Sequence, residues 1–365
     1  MHILIVNQAP IPVFAYGGTE RVIWDLGKSL TNAGHRITYL VPEGSKCPFA
    51  QVITSGPNQD WRALIPSSID LIHFQFNPEL NSELPAPWLM TQHGNSQLGE
   101  QLPLNTVFVS ENHARRHGAQ TFVHNGLDWS SYGPVDLTAP RSHFHFLGKA
   151  AWRVKNVQGA IDVARVAHQR LIVMGGHRLN IKRGFRFTWS PNIQFTGMVG
   201  GEEKFNVMRH SKGLIFPVRW HEPFGLAIIE SLYFGCPVFA TPYGAIPEIV
   251  TPECGLLSEK KQVLADGLID SCFEPATCHE LAKTRFSANR MAEDYLQVYQ
   301  RILDGRRPPV FSSTRLWSPG ANLTAFASAS EHRQWVSVRP RTSWDVPRCI
   351  PVARLRQQHG HAANW

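Results

Sequence analysis

The sequence predicts an α/β protein built from two doubly wound parallel-sheet domains, and three observations carry that prediction. The chain has 365 residues, room for about two domains at roughly 150 residues each. With 43% hydrophobic and 18% charged residues it can fill sizeable cores, which excludes a disordered chain. Short β-branched runs alternate with amphipathic stretches as far as about residue 300, the pattern of βα units around a parallel sheet.

The first strand is His2 to Val6, followed by a loop holding Pro10, Pro12, Gly17 and Gly18. From Thr19 the apolar residues Val22, Ile23, Leu26 and Leu30 recur at helical spacing. Gly34-His35 stops that helix, and strands follow at Arg36 to Val41, Leu71 to Phe74, Trp88 to Thr91 and Thr106 to Val109. Pro134 and Pro140 mark a joint. Beyond it come strands at Phe144 to Leu147, Leu171 to Met174, Ile193 to Phe195, Gly213 to Phe216 and Pro237 to Ala240. A last helix over about 287–303 carries Met291, Tyr295, Val298, Tyr299 and Ile302 in one stripe. It needs a body to pack on and can cross back to the first domain. The domains are therefore 1–135, 136–305 and a tail, 306–365, without periodicity.

Charge bears on partners through its location. The net charge is +8, but residues 306–365 hold nine Arg against Glu331 and Asp345, which leaves 1–305 close to neutral. A basic tail on a balanced body is not the footprint of a nucleic-acid reader. No apolar run approaches the roughly 20 residues of a membrane span, and Met1 to Asn7 lacks the basic and apolar regions of a signal peptide. The expectation is a cytoplasmic protein with no transmembrane segment, which leaves peripheral membrane contact open. The six cysteines are scattered without a C-x-x-C pair and read as free thiols.

The densest group of candidate residues runs from Arg219 to Ser231, directly after the strand ending near Pro217. Glu222 falls in the loop at the carboxyl end of a parallel strand, where open α/β sheets bind ligands. Phe224, Gly225 and Leu226 open the next helix; the glycine admits close approach, and the free amides suit a pyrophosphate. Glu230, a turn further on, can accept hydrogen bonds from a ribose diol. On the residues alone, both acids could simply complement the helix dipole. Lys149 and Lys155 flank a turn after a strand, where two cations can stabilise a leaving diphosphate; Arg153 lies between them. Gly17 and Gly18 open the first helix and can cradle a phosphate, but no G-x-G-x-x-G follows the first strand, which argues against NAD. His93 ends a strand beside Gly94, again on the ligand edge of the sheet. His73 is a weaker candidate of the same kind.

Glu222-Pro223-Phe224-Gly225 with Glu230 resembles the E-x7-E element of retaining glycosyltransferases of the GT-B fold, in the large family-four group. Gly235-Cys236-Pro237-Val238, Pro247-Glu248-Ile249-Val250 and Gly148-Lys149 with Lys155-Asn156 also resemble that family's segments. The resemblance covers most of residues 1–305. It implies two Rossmann-like domains facing across a cleft, the first on the acceptor side and the second binding a nucleotide-sugar donor. By the same resemblance Lys149 and Lys155 grip the donor diphosphate, with Lys149 standing where the family usually has Arg. Glu222 then orients the transferred sugar, Glu230 holds the ribose, His93 lies near the sugar, and Gly175, Met198 and Val199 belong to loops lining the nucleotide. Val123 to Asp128 resembles the segment closing the first domain, where Asn125-Gly126 suits a left-handed turn.

The function expected is transfer of a hexose-like sugar, with retention, to an acceptor hydroxyl in glycan or glycoconjugate biosynthesis. The acceptor is a carbohydrate, a lipid-linked glycan or a small molecule. No cofactor and no metal site is expected. The alternatives are a sugar-nucleotide epimerase on the same fold and a non-catalytic protein that binds a nucleotide sugar or a partner.

Overall fold

The computed structural model describes residues 1–305 apart from 13–17, 58, 81–82, 98–99 and 181–185. The expectations for Gly17 and for the 306–365 tail lie outside the described residues.

Strand β1 (His2–Val6) is buried at every position, the continuous apolar run of a strand covered on both faces. It pairs in parallel with β2 (Arg36–Pro42) on one side and β4 (Leu71–Phe74) on the other. With β3 (Gln51–Ser55), β5 (Trp88–Gln92) and β6 (Thr106–Phe108) they form a six-stranded sheet of order β3-β2-β1-β4-β5-β6. Helix α1 (Gly18–Asn32) follows β1, and the short α2 (Glu111–Arg116) follows β6.

The second domain repeats the design. Its sheet contains β7 (His143–Leu147), β8 (Leu171–Met174), β11 (Ile193–Gly197), β12 (Ser211–Phe216), β13 (Val238–Ala240) and β14 (Gly255–Leu257), in the order β11-β8-β7-β12-β13-β14. Between β8 and β11 sits a small antiparallel pair, β9 (Leu179–Asn180) and β10 (Arg186–Phe187). The helices are α3 (Val157–Val166), α4 (Gly201–Arg209), α5 (Leu226–Tyr233), α6 (Ile246–Ile249), α7 (Lys261–Asp270) and α8 (Pro275–Arg285). In both sheets the strand order reverses beside the first strand, between β1 and β4 and between β7 and β12. These are the switch points at which doubly wound sheets open a crevice for ligands.

Helix α9 (Ala288–Leu303), capped by Ser287, packs its apolar stripe on α1 of the first domain. Two tyrosines of that stripe reach a buried polar chain: His73 bonds Tyr299 Oη at 2.8 Å and Thr91 Oγ1 at 2.7 Å, and Thr91 bonds Tyr295 Oη at 2.7 Å. Burial holds His73 neutral, its pKa lowered to about 3. His73 therefore fastens α9 and does not line the cleft.

Residues Asn125-Gly126 do not form the expected left-handed turn. A Cβ on Gly126 would lie 2.1 Å from the Ser287 carbonyl oxygen, so the glycine is required by close approach. Leu127 N donates to Phe286 O and Ala288 N donates to Leu127 O, stitching the end of the first domain to the start of α9.

Candidate active site

The residues that surround the cleft come from loops after the switch-point strands and from three helix N-termini. The cleft has a volume of about 700 Å³. Gly18, Thr19 and Glu20 open α1 from one side, while Gly200-Gly201 at the start of α4 and Gly225-Leu226 at the start of α5 face it from the other. Free backbone amides and the positive ends of helix dipoles make such a ring receptive to an anion. Gly18 and Leu226 nearly touch: a Cβ at Gly18 would lie 3.3 Å from Leu226 Cδ1.

Glu222 is fixed by its backbone before its side chain does anything. Gly244, with φ of +69°, lies so close that a Cβ would stand 2.3 Å from Glu222 N, and Ala245 N donates to Glu222 O at 2.9 Å. The carboxylate receives Lys155 Nζ on both oxygens, at 2.9 and 2.7 Å, and Trp220 Nε1 at 2.7 Å. Lys155 lies over the rings of Phe216 and Trp220. Its position follows from Asn156, which adopts φ of +52°, caps α3 through Gly159 N and donates to Pro217 O at 2.7 Å. The turn carrying Lys155 is thereby bound to the strand end that leads to Glu222.

Glu230 is buried in α5, and its side-chain hydrogen bonds converge on Oε1. Arg21 of α1, Lys204 of α4 and the Tyr132 hydroxyl each donate to it at 2.6 Å. Burial alone would raise the pKa of this carboxyl, but the two cations and their hydrogen bonds pull it down to about 2. Lys204 is itself lowered by burial, an effect that Glu230 opposes. Neither Arg21 nor Lys204 was apparent as a site residue in the sequence. For Lys204 a signal existed: it shares a helix face with the buried Met208, four residues on.

Lys149 follows Gly148 on the loop after β7, lines the cleft and lies 5.1 Å from the centre of the Trp152 ring. Gly175 stands behind that loop and does not line the cleft. At φ of +118° its Cβ would meet Gly148 O at 2.1 Å, so it lets the Lys149 loop pack down. Of the next pair, Val199 lines the cleft, whereas Met198 is half exposed outside it. Phe224 lines the cleft and is buried against His124 and Phe286. His93 reaches the cleft from the first domain, its Nε2 2.8 Å from Gln75 Oε1. Burial lowers its pKa to about 4, so it is neutral at pH 7. The structure thus brings Gly18, His93, Lys149, Lys155, Val199, Glu222, Phe224, Gly225, Leu226 and Glu230 to one cleft. Among the described residues no group of three or more His, Cys, Asp or Glu is arranged to hold a metal ion.

Residues 141–272, the second domain with this half of the cleft, match the family model described as glycosyl transferases group 1. The second domain is thus similar to the group 1 glycosyltransferases. The O-antigen chain mannosyltransferase C of Escherichia coli is 21% identical to this chain over 213 residues, 54% of each chain. The match thus spans about half the length of that relative. Among solved structures, AviGT4, a glycosyltransferase involved in avilamycin A biosynthesis, superposes with a TM-score of 0.68 at 18% identity, over 84% of this chain and 99% of its own. HepE of Anabaena, in complex with UDP and glucose, superposes with a TM-score of 0.59 at 15% identity, over 82% and 99%. Both structures share the two-domain GT-B fold with this chain. No described helix is long and apolar enough to cross a membrane.

Proposed function

We propose that the protein transfers a hexose from a nucleotide-sugar donor to an acceptor hydroxyl in glycan biosynthesis, with retention at the anomeric carbon and without a metal. The observation that carries this reading is the cleft between Lys149, the Lys155–Glu222 pair and the N-terminus of α5. It supplies cations and amides where a diphosphate needs them and a carboxylate where a sugar needs orienting. The donor diphosphate lies against the amides at Gly225-Leu226 and against Lys149 and Lys155. As the bond from the anomeric carbon to phosphate oxygen breaks, these groups stabilise the charge that develops on the leaving diphosphate. The acceptor oxygen bonds to the same face of that carbon, and its proton passes to the departing diphosphate. Glu222 still has lone pairs to offer sugar hydroxyls beyond its bonds to Lys155 and Trp220. Glu230 keeps Oε2 for a ribose hydroxyl. Neutral His93 meets the sugar from the first domain.

The relatives guide the choice of donor. The E. coli relative is named a mannosyltransferase, and the Anabaena structure holds UDP and glucose. A panel of GDP-mannose, UDP-glucose, ADP-glucose and dTDP-glucose, with EDTA present, tests the reading through thermal stabilisation and slow donor hydrolysis. Stabilisation by one nucleotide class, with release of an α-configured sugar from an α-configured donor, is expected. Indifference to every nucleotide sugar would overturn it.

A further inference from the structure

At the carboxyl ends of β1, β2, β3 and β4 the first domain carries a second cavity, of about 350 Å³, the size of a small-molecule site. It shares no lining residue with the cleft. It sits at the switch point of the first sheet, where the chain leaves β1 and β4 in opposite directions and a crevice opens.

Two kinds of wall enclose it. Trp61 and Phe76 supply aromatic surface, and both are braced: the Phe74 ring lies 5.3 Å from that of Trp61 and 5.8 Å from that of Phe76, and the Arg62 guanidinium lies 4.9 Å from the Trp61 ring centre. Gln8, Glu43 and Ser55, from the ends of β1, β2 and β3, supply polar side chains, none of which bonds another described residue. The Glu43 carboxylate reaches the β3 side, so that a Cβ on Gly56 would lie 3.8 Å from Oε1. Among the described residues it is the one charged group in the lining.

A rigid aromatic wall beside unengaged hydrogen-bonding groups suits a ligand with an apolar C–H face and a rim of hydroxyls. A pyranose ring has that pattern. The lone negative charge, with no Lys, Arg or His in the lining, turns away phosphate and carboxylate groups. An acid at the end of β2 is also where dinucleotide-binding domains hold a ribose, but here neither a cation nor a G-x-G-x-x-G loop is at hand for the pyrophosphate.

Gln75 connects this cavity to the cleft. Its N donates to Val6 O, its neighbour Phe76 lines the cavity, and its Oε1 is 2.8 Å from Nε2 of His93, which lines the cleft. Nε2 of this buried glutamine has no acceptor among the described residues; a hydroxyl bridging the two cavities would supply one. Strand β5, which leads to His93, lies two strand spacings from β1, about 10 Å, a span that the next one or two residues of a glycan cover. We propose that the cavity holds a neutral sugar residue of the acceptor, one or two positions from the residue that is glycosylated. The acceptor is then an oligosaccharide or glycan chain and not a small molecule, an inference that rests on the transfer reaction proposed above.

The test is an NMR titration of the full chain with mannose, glucose and galactose and with their α-linked di- and trisaccharides, run beside the donor panel. In one sugar series the trisaccharide should bind about tenfold more tightly than the monosaccharide. Trp61→Ala should abolish that gain. Glu43→Ala, which removes an exposed side chain without partners, should reduce it about threefold and carries the test if Trp61→Ala does not fold. Donor stabilisation and slow donor hydrolysis should match wild type in both variants, because neither residue lines the cleft. Three results overturn the proposal: a wild type indifferent to chain length in every series, a gain that survives both variants, or tighter binding of adenosine or mannose 6-phosphate that Trp61→Ala removes. Indifference to every donor beside a Trp61-dependent gain would count against the transfer reading and not against the sugar site, so the two failures are distinguishable.

Discussion

Arg21 of α1 donates a 2.6 Å hydrogen bond to Glu230 of α5, so that the first turn of a helix in one domain is tied to a carboxylate buried in the other. Lys204 and Tyr132 bond the same oxygen, and the cluster holds two cations around one anion. The two domains therefore meet through charge at the cleft, while the α9 clasp joins them through apolar packing on α1.

The unequal charge count makes the members of this cluster unequal under mutation. Glu230→Gln leaves Arg21 and Lys204 without a counter-charge, and uncompensated buried charge costs about 3–5 kcal/mol. Lys204→Met removes the surplus cation while Glu230 keeps Arg21 and Tyr132, and should cost about 1 kcal/mol, the worth of one hydrogen bond. Urea unfolding of both variants measures the contrast. Equal losses would mean that Lys204, not Arg21, is the essential partner.

Stability should fall in acid in two stages. Burial depresses the pKa values of His73 and His145 to about 3, below the ordinary 6.5. Each unfolded imidazole takes a proton that the folded one refuses. Their contribution is therefore present above pH 6.5 and is lost as pH falls from 6.5 towards 3, at about 1.4 kcal/mol per pH unit per histidine. Glu230, held at about 2 against an ordinary 4.5, adds a second loss between pH 4.5 and 2. Thermal midpoints measured from pH 8 to 4 should be level above pH 7 and drop steeply below 6. A flat profile down to pH 5 would show that these histidines are protonated in the fold.

The sequence made the framework legible where strands are buried on both faces, because β1, β4, β7, β8 and β12 are dominated by Ile, Leu, Val, Met and Phe. It concealed β3 and β14. Gln51-Val52-Ile53-Thr54-Ser55 lies at a sheet edge, half in solvent, and Gly255-Leu256-Leu257 is too short for any period to show. In the cleft, Glu222, Lys149, Lys155 and Glu230 stood out because they flank glycines and strand ends. Arg21 and Lys204 did not, because what matters about them is which carboxylate they reach, 209 and 26 residues away in the chain.

The Lys155–Glu222 pair should behave as one unit in turnover. On the proposed transfer reaction, Lys155→Met removes a cation from the leaving diphosphate and also frees Glu222 to move; Glu222→Gln weakens the hold on Lys155. Each single change should lower kcat by about 10²–10³, and the double variant should fall little further than the worse single one. Strictly multiplicative losses would separate the two roles. Lys149→Arg, which keeps the charge, should retain most turnover, while Lys149→Met should not.

Gly244→Ala tests whether backbone packing, as well as side-chain chemistry, places Glu222. An alanine there must adopt φ of +69° and put its Cβ 2.3 Å from both Glu222 N and Glu222 O. Neither atom can retreat cheaply, since Ala245 N holds Glu222 O and the carboxylate is bound to Lys155 and Trp220. The 221–223 loop must shift, which also strains its contacts to the first domain, where Ser110 Oγ donates to Pro223 O and Asn95 Nδ2 donates to His221 O. A shift of even about 1 Å at the reacting centre costs around 10²-fold in rate. Turnover should therefore fall at least that far, with a stability loss of about 1–3 kcal/mol for the strained φ. Full activity in Gly244→Ala would mean that Glu222 is positioned by Lys155 and Trp220 alone.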